Sequence, residues 1–152
     1  MFINIFVVIF WVIHSVFWET FVIITGLLIP FTRVPDWGMR IWAKYFVRFS
    51  RVKVDVEGAE HIESENYYLF VANHMSLFDI PSSLGFIPNR IRMISKKELA
   101  RSPLLGWAMS VIGHIFIDRQ NREKAVKTLD KALEKVTKKS YSIMIFPEGT
   151  RS

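Results

Sequence analysis

The chain has 152 residues, enough for one packed domain and a small appendage. Of these, 51% are hydrophobic and 14% aromatic, which excludes a disordered or purely nucleic-acid-binding tail. There is no cysteine, so disulfides, thiolate metal sites and a cysteine nucleophile are excluded, and the net charge is +6. That charge is uneven, because residues 1–32 hold no Lys or Arg and all 20 basic residues lie from Arg33 onward. Basic charge that begins where an apolar segment ends points to anionic headgroups or phosphates, and no nucleic-acid motif accompanies it.

The first segment, residues 1–32, reads as a retained membrane anchor. It lacks the basic start and small-residue cleavage site of a secretory signal. A fully helical Met1–Pro30 would be roughly 45 Å long and would span with a tilt. Alternatively it breaks near His14–Glu19 into a helical hairpin dipping into one leaflet. His14 and Glu19 are read as interfacial or locally paired. Residues 33–51 form a basic amphipathic helix, with Arg40, Lys44 and Arg48 four residues apart beside Ile41, Tyr45 and Phe49. It suits a lipid interface or a surface packed on the domain. By the positive-inside rule this side faces the cytoplasm.

Residues 52–152 alternate strand and helix patterns. Val52, Val54 and Val56 alternate as in a half-buried strand. "YYLFVAN" and "YSIMIF" are apolar runs expected as central strands, with "IRMIS" and "HIFID" as shorter ones. "SPLLGWAMSVIG" predicts a helix capped by Ser102 and closed by Gly113. "REKAVKTLDKALEKVTKK" predicts a second, capped by Asn121, with Ala125, Leu129, Ala132, Leu133 and Val136 as its buried stripe. The expected class is α/β, a mixed sheet flanked by helices behind an N-terminal membrane helix or hairpin.

The chemistry gathers at "YYLFVANHMSLFD", where a strand-like run ends in His74 with Asp79 five residues on. A carboxylate that accepts from one imidazole nitrogen leaves the other to act as a base. That spacing meets only across a turn or helix start. From spacing alone, a hydrogen-bonded structural histidine fits as well. Ser76 lies in no G-x-S-x-G elbow and reads as a turn residue. His61 and His114 have no metal-type spacing with His74, so no metal is expected.

"NHMSLFD" resembles the NHxxxxD motif of the glycerolipid acyltransferases, the 1-acyl-glycerol-3-phosphate acyltransferase type. "SKKEL", "GHIFIDR" and "FPEGTRS" resemble further blocks of that family in order, over roughly Val52–Ser152. The resemblance implies His74 as general base and Asp79 as its orienting partner. It implies an acceptor-phosphate site of Arg119 and Arg151, shaped by Glu148, Gly149 and Thr150, in which Glu148 pairs with an arginine or holds the loop, with Lys97 as a secondary contact. Lys96 and Lys97 also fit a solvated helix start, and Asp118 and His114 read as structural. The implied reaction is acyl transfer from acyl-CoA or acyl carrier protein to lysophosphatidic acid, with no cofactor. Acylation of glycerol 3-phosphate or a lysophospholipid, and a non-catalytic membrane-bound binding protein, are the alternatives. The expected location is the cytoplasmic face of a membrane, bacterial inner membrane before endoplasmic reticulum. The family pattern includes a fourth, apolar, proline-containing block, so the sequence is expected to be a C-terminally truncated fragment.

Overall fold

The computed structural model describes residues 5–30, 32–63, 65–139 and 141–149. Helix α1 (Ile5–Leu28) is long and apolar enough to cross a membrane. It does not break near His14–Glu19, because the polar residues there find partners on helix α2 (Val34–Phe49). His14 Nε2 donates to the Trp42 carbonyl at 3.0 Å, and Trp42 Nε1 donates to Ser15 Oγ at 3.0 Å. Ring contacts Phe10–Phe49, Trp11–Phe46 and Trp18–Trp37 fix an antiparallel pair. The other side of α1 exposes Phe6, Ile9, Ile13, Phe17, Ile24 and Leu28. Near its end α1 crosses a later helix so closely that a Cβ at Gly26 would strike Val111.

The basic face of α2 turns partly inward. Arg40 donates to the carbonyls of Ile87 and Asn89, and Lys44 lies over the Phe86 ring at 6.0 Å. These contacts dock α2 on helix α3 (Asp79–Phe86), which follows strand β1 (Leu69–Val71). Next come β2 (Ile91–Lys96), α4 (Leu105–Ile112), β3 (Ile115–Ile117), α5 (Arg122–Lys139) and β4 (Ser142–Ile145). The sheet order is β1-β4-β2-β3, and all three pairings are parallel. The α/β class is as expected, but the described pairings are parallel rather than mixed, since each connection is a crossover carrying a helix.

Alternate residues of β2 and β4 serve two cores. Ile94 and Ile143 pack with Ile115, Ala132 and Tyr141 beneath α5. Ile91, Met93 and Met144 pack with Phe70, Ile80 and Phe146 beneath α3. A third cluster of Val22, Met39, Ala108 and Ile112 joins α1, α2 and α4.

Several elements differ from expectation. Val52–Val56 forms no strand; Val52 and Val54 are half-buried, so the alternation reports a covered face and no ladder partner. Strand β1 is an edge, with Leu69 58% and Val71 61% exposed, whereas β4 is interior as expected. Helix α4 begins at Leu105, after a turn in which Gly106 N–H donates to the Ser102 carbonyl, so Ser102 acts through its backbone. Gly113 closes it. Asn121 Oδ1 caps α5 by accepting from Lys124 N–H at 3.0 Å. Leu133 of its predicted stripe is exposed, and the side chain of Val136 lies outside the described residues.

His114 is structural, as expected. Its Nδ1 accepts from Met93 N–H at 2.7 Å, tying α4's exit to β2. Burial first, then the charge of Arg92, lowers its pKa from 6.5 to about 3. The native ring therefore stays neutral while the unfolded chain takes up a proton below 6.5. Stability is complete above that value and is lost progressively as pH falls toward 3. The expected size is on the order of 1 kcal/mol per pH unit. Melting between pH 7.5 and 5 should show the fall, and His114→Asn, which keeps an acceptor for Met93, should flatten it. An equal slope in the variant would assign the acid sensitivity elsewhere.

Candidate active site

A parallel sheet brings the carboxyl ends of all its strands to one edge, where α/β proteins place their ligands. The predicted residues that the structure describes fall on this edge. His74 follows β1, Lys97 follows β2, Asp118 and Arg119 follow β3, and Glu148 and Gly149 follow β4. The register sets Val71, Ile145, Ile94 and Ile115 in one row, so β2 and β3 run two residues past β1 and β4 before they exit on the same side.

The turn after β1 solves the five-residue spacing. His74 leaves the strand, the chain turns at Leu77–Phe78, and Asp79 opens α3. His74 Nδ1 then lies 2.9 Å from Asp79 Oδ2. The same oxygen accepts from Met75 N–H at 2.7 Å and Ser76 N–H at 2.8 Å. Partial burial acts to raise the Asp79 carboxyl. The Ser76 amide, the His74 ring and the Met75 amide outweigh it and hold the carboxyl below 3.8. Asp79 is thus ionised at neutral pH and can orient an imidazole and stabilise an imidazolium. Ser76 is a turn residue: its Oγ accepts from Phe78 N–H at 3.2 Å.

The third block approaches from β4. Glu148 Oε2 accepts the His74 backbone N–H at 3.2 Å, so Glu148 holds the histidine's loop. Sequence reasoning missed Phe146, whose ring stacks on His74 with centroids 4.5 Å apart. Adjacent apolar runs ending in "NH" and "FPEG" were the available signal, but only the β1–β4 pairing makes them neighbours. Gly149 has φ +69, and a Cβ there would lie 2.9 Å from Arg119 Nη1. Arg119 Nη1 donates to the Gly149 carbonyl, reaching from β3 to the β4 loop. Lys97 Nζ pairs with Asp118 Oδ2 at 2.7 Å. Thr150 and Arg151 lie outside the described residues. Among the described residues no group of three or more His, Cys, Asp or Glu is gathered for a metal ion.

The arrangement can take a proton on an oriented imidazole, with cations and a close-approach backbone further along the same edge. Comparisons with known proteins place the chain in a family. The profile of the Acyltransferase family matches residues 53–152. A 1-acyl-sn-glycerol-3-phosphate acyltransferase of Saccharomyces cerevisiae is 40% identical over 99 residues, 65% of this chain and 32% of that protein. The human 1-acyl-sn-glycerol-3-phosphate acyltransferase alpha is 32% identical over 101 residues, 66% of this chain and 36% of that protein. The crystal structure of the 1-acyl-sn-glycerophosphate (LPA) acyltransferase PlsC from Thermotoga maritima superposes with a TM-score of 0.78 at 29% identity. That match covers 97% of this chain and 60% of the other, so the chain spans about a third of these curated relatives and 60% of this neighbour. The family profile takes in the strands and every motif that supplies this edge, and the chain belongs to the glycerolipid acyltransferase branch of the acyltransferase family.

Proposed function

We propose that the chain carries the catalytic half-site of an O-acyltransferase that converts lysophosphatidic acid to phosphatidic acid. The carrying observation is the His74–Asp79 pair, 2.9 Å apart at the carboxyl edge of the sheet. Asp79 holds Nδ1, so Nε2 is the nitrogen that removes the proton from the acceptor hydroxyl. The resulting oxygen attacks the thioester carbonyl of acyl-CoA or acyl carrier protein. The tetrahedral intermediate collapses, the C–S bond breaks, and the imidazolium returns its proton to the departing thiolate. No acyl-enzyme forms. Arg119, the Gly149 backbone and Lys97 bind the acceptor phosphate, with Thr150 and Arg151 completing the loop. The exposed Lys97–Asp118 pair contributes little to stability and yields readily to a phosphate.

The exposed apolar side of α1, with Trp37, Tyr45 and Phe49 of α2, lies in the bilayer interface. The catalytic edge faces the cytoplasm, in a bacterial inner membrane. Transfer of labelled oleate from oleoyl-CoA to 1-acyl-glycerol 3-phosphate, assayed in membranes containing the protein, tests this reading. Free fatty acid released without acceptor would instead identify a hydrolase. Product formed equally well with Asp79→Asn would remove the dyad from the mechanism.

Gly149→Ala gives a finer test. A Cβ at a positive φ strains the loop and displaces the Arg119 guanidinium. The KM for the phosphate-bearing acceptor should rise roughly tenfold, as for one lost charged hydrogen bond. The donor KM should stay unchanged. Equal rises in both would assign the loop to the donor side as well.

A further inference from the structure

One recess among the described residues lies well away from His74. It lies at the opposite, amino edge of the sheet, where β2 and β4 begin, and holds about 240 Å³. The length of β2 separates it from the catalytic edge by roughly 17 Å. Arg33, Arg40, Arg90 and Arg92 line it, against one carboxylate, Asp36. Asp36 Oδ2 takes Arg90 Nε at 2.9 Å and Nη2 at 2.6 Å, and its Oδ1 takes Arg92 Nη1 at 2.5 Å. Arg40 is committed to carbonyls, and Arg33 has no carboxylate partner among the described residues. The recess thus carries four guanidinium groups and one neutralising charge.

Two buried polar atoms in its wall lack partners. Arg92 is 4% exposed and its Nε donates to nothing described. Asn89 is 6% exposed, its Nδ2 is spent on the Asn66 carbonyl at 3.0 Å, and its Oδ1 accepts from nothing described. A neighbouring smaller recess shares Arg33, Asn89 and Arg90. The first turn of α2 opens here too, adding its partial positive charge.

We propose that this recess is a second anion site, taking a phosphate group that also offers an O–H donor, apart from the acyl-transfer edge. The guanidinium groups exclude a metal cation. A plain carboxylate would satisfy them but leave Asn89 Oδ1 without a donor; a phosphate bearing P–OH or an adjacent hydroxyl satisfies both. Such a group comes from free phosphate or from a phosphomonoester lipid headgroup. Exposed Trp37 at the rim, beside the apolar end of α1, puts the mouth within reach of headgroups.

Thermal melting of the purified chain in neutral detergent tests the proposal, with chloride at matched ionic strength as control. One arm titrates inorganic phosphate. The other uses micelles of phosphatidylcholine with and without phosphatidic acid. A saturable rise in Tm is expected in at least one arm, since a ligand of the native state raises it. Phosphate alone sufficing identifies a soluble anion; a rise with phosphatidic acid only identifies a lipid headgroup. Arg33→Ala, which breaks no described ion pair, should shift the half-saturation on the order of tenfold. Lys97→Ala, at the catalytic edge, should not shift it. No rise in either arm, or a rise indifferent to Arg33→Ala, overturns the site and leaves a solvated ion-pair cluster. A rise that responds to Lys97→Ala alone places the ligand at the catalytic edge and overturns it equally.

Discussion

Replacing His74 with Ala should lower acyl transfer by a factor on the order of 10²–10⁴, with Tm nearly unchanged. The factor is what a positioned general base supplies. The ring is bounded by Asp79 and Phe146, yet the loop around it is held independently. Asp79 keeps its bonds from Met75 and Ser76, and Glu148 keeps the amide of residue 74. Among the described ring contacts the fold loses the Asp79 hydrogen bond and the Phe146 stack, at a partly exposed position. Asp79→Asn should lower the rate as well, because its amide either stops accepting from Nδ1 or loses its grip on the turn. Measuring kcat and KM for both substrates beside the melting curve separates the roles. Loss confined to KM, with kcat intact, would make His74 a binding residue.

Asp36→Ala should be among the most destabilising single changes, by about 3–5 kcal/mol, the usual cost of stranding a buried partner. For a chain of this size that is a fall in Tm of roughly 6–20 °C. Asp36 is the one carboxylate between Arg90 and Arg92, and Arg92 is 4% exposed. Burial acts to raise the Asp36 carboxyl, but the two arginines outweigh it and hold it below 3.8. Its removal leaves Arg92 buried without an anion, at the junction of α2 with the sheet. Asp36→Asn should be milder, since an amide oxygen can still accept one guanidinium bond. The double variant Asp36→Ala, Arg92→Met should recover part of the loss, because no buried charge is then stranded. A fall of less than about 2 °C in the single variant would show that water replaces the carboxylate.

The residues gathered at the carboxyl edge of the sheet were far more legible in the sequence than the layers behind it. His74, Asp79, Gly149 and Arg119 were legible because each belongs to a short block whose spacing survives without knowledge of the fold. Interior strand β4 was legible because a strand buried on both faces must be apolar throughout. The same rule misplaced β1: Leu69 and Val71 look interior, yet one face of that strand has no cover among the described residues. Val52–Val56 misled through its alternation, which records a covered face and says nothing about a hydrogen-bonded neighbour. The Asp36–Arg90–Arg92 cluster was invisible, because its members lie 54 and 56 positions apart and no local pattern links them. Arg40 was grouped with a basic stripe that suited either a lipid interface or packing on the domain, and only the loop before β2 reveals that it serves two carbonyls.

The sheet order β1-β4-β2-β3 has a consequence for how the molecule is made. The strand synthesised last among these four sits between the first two. Until residues 142–145 leave the ribosome, β1 has no neighbour and β2 has an open side. The histidine loop waits for the same event, because Glu148 and Phe146 arrive with that strand. Assembly must therefore be late and dominated by contacts distant in sequence, which makes it slow. Among the described strands, a nascent chain halted before β4 leaves β1 without a partner and one side of β2 open, and such edges are templates for aggregation.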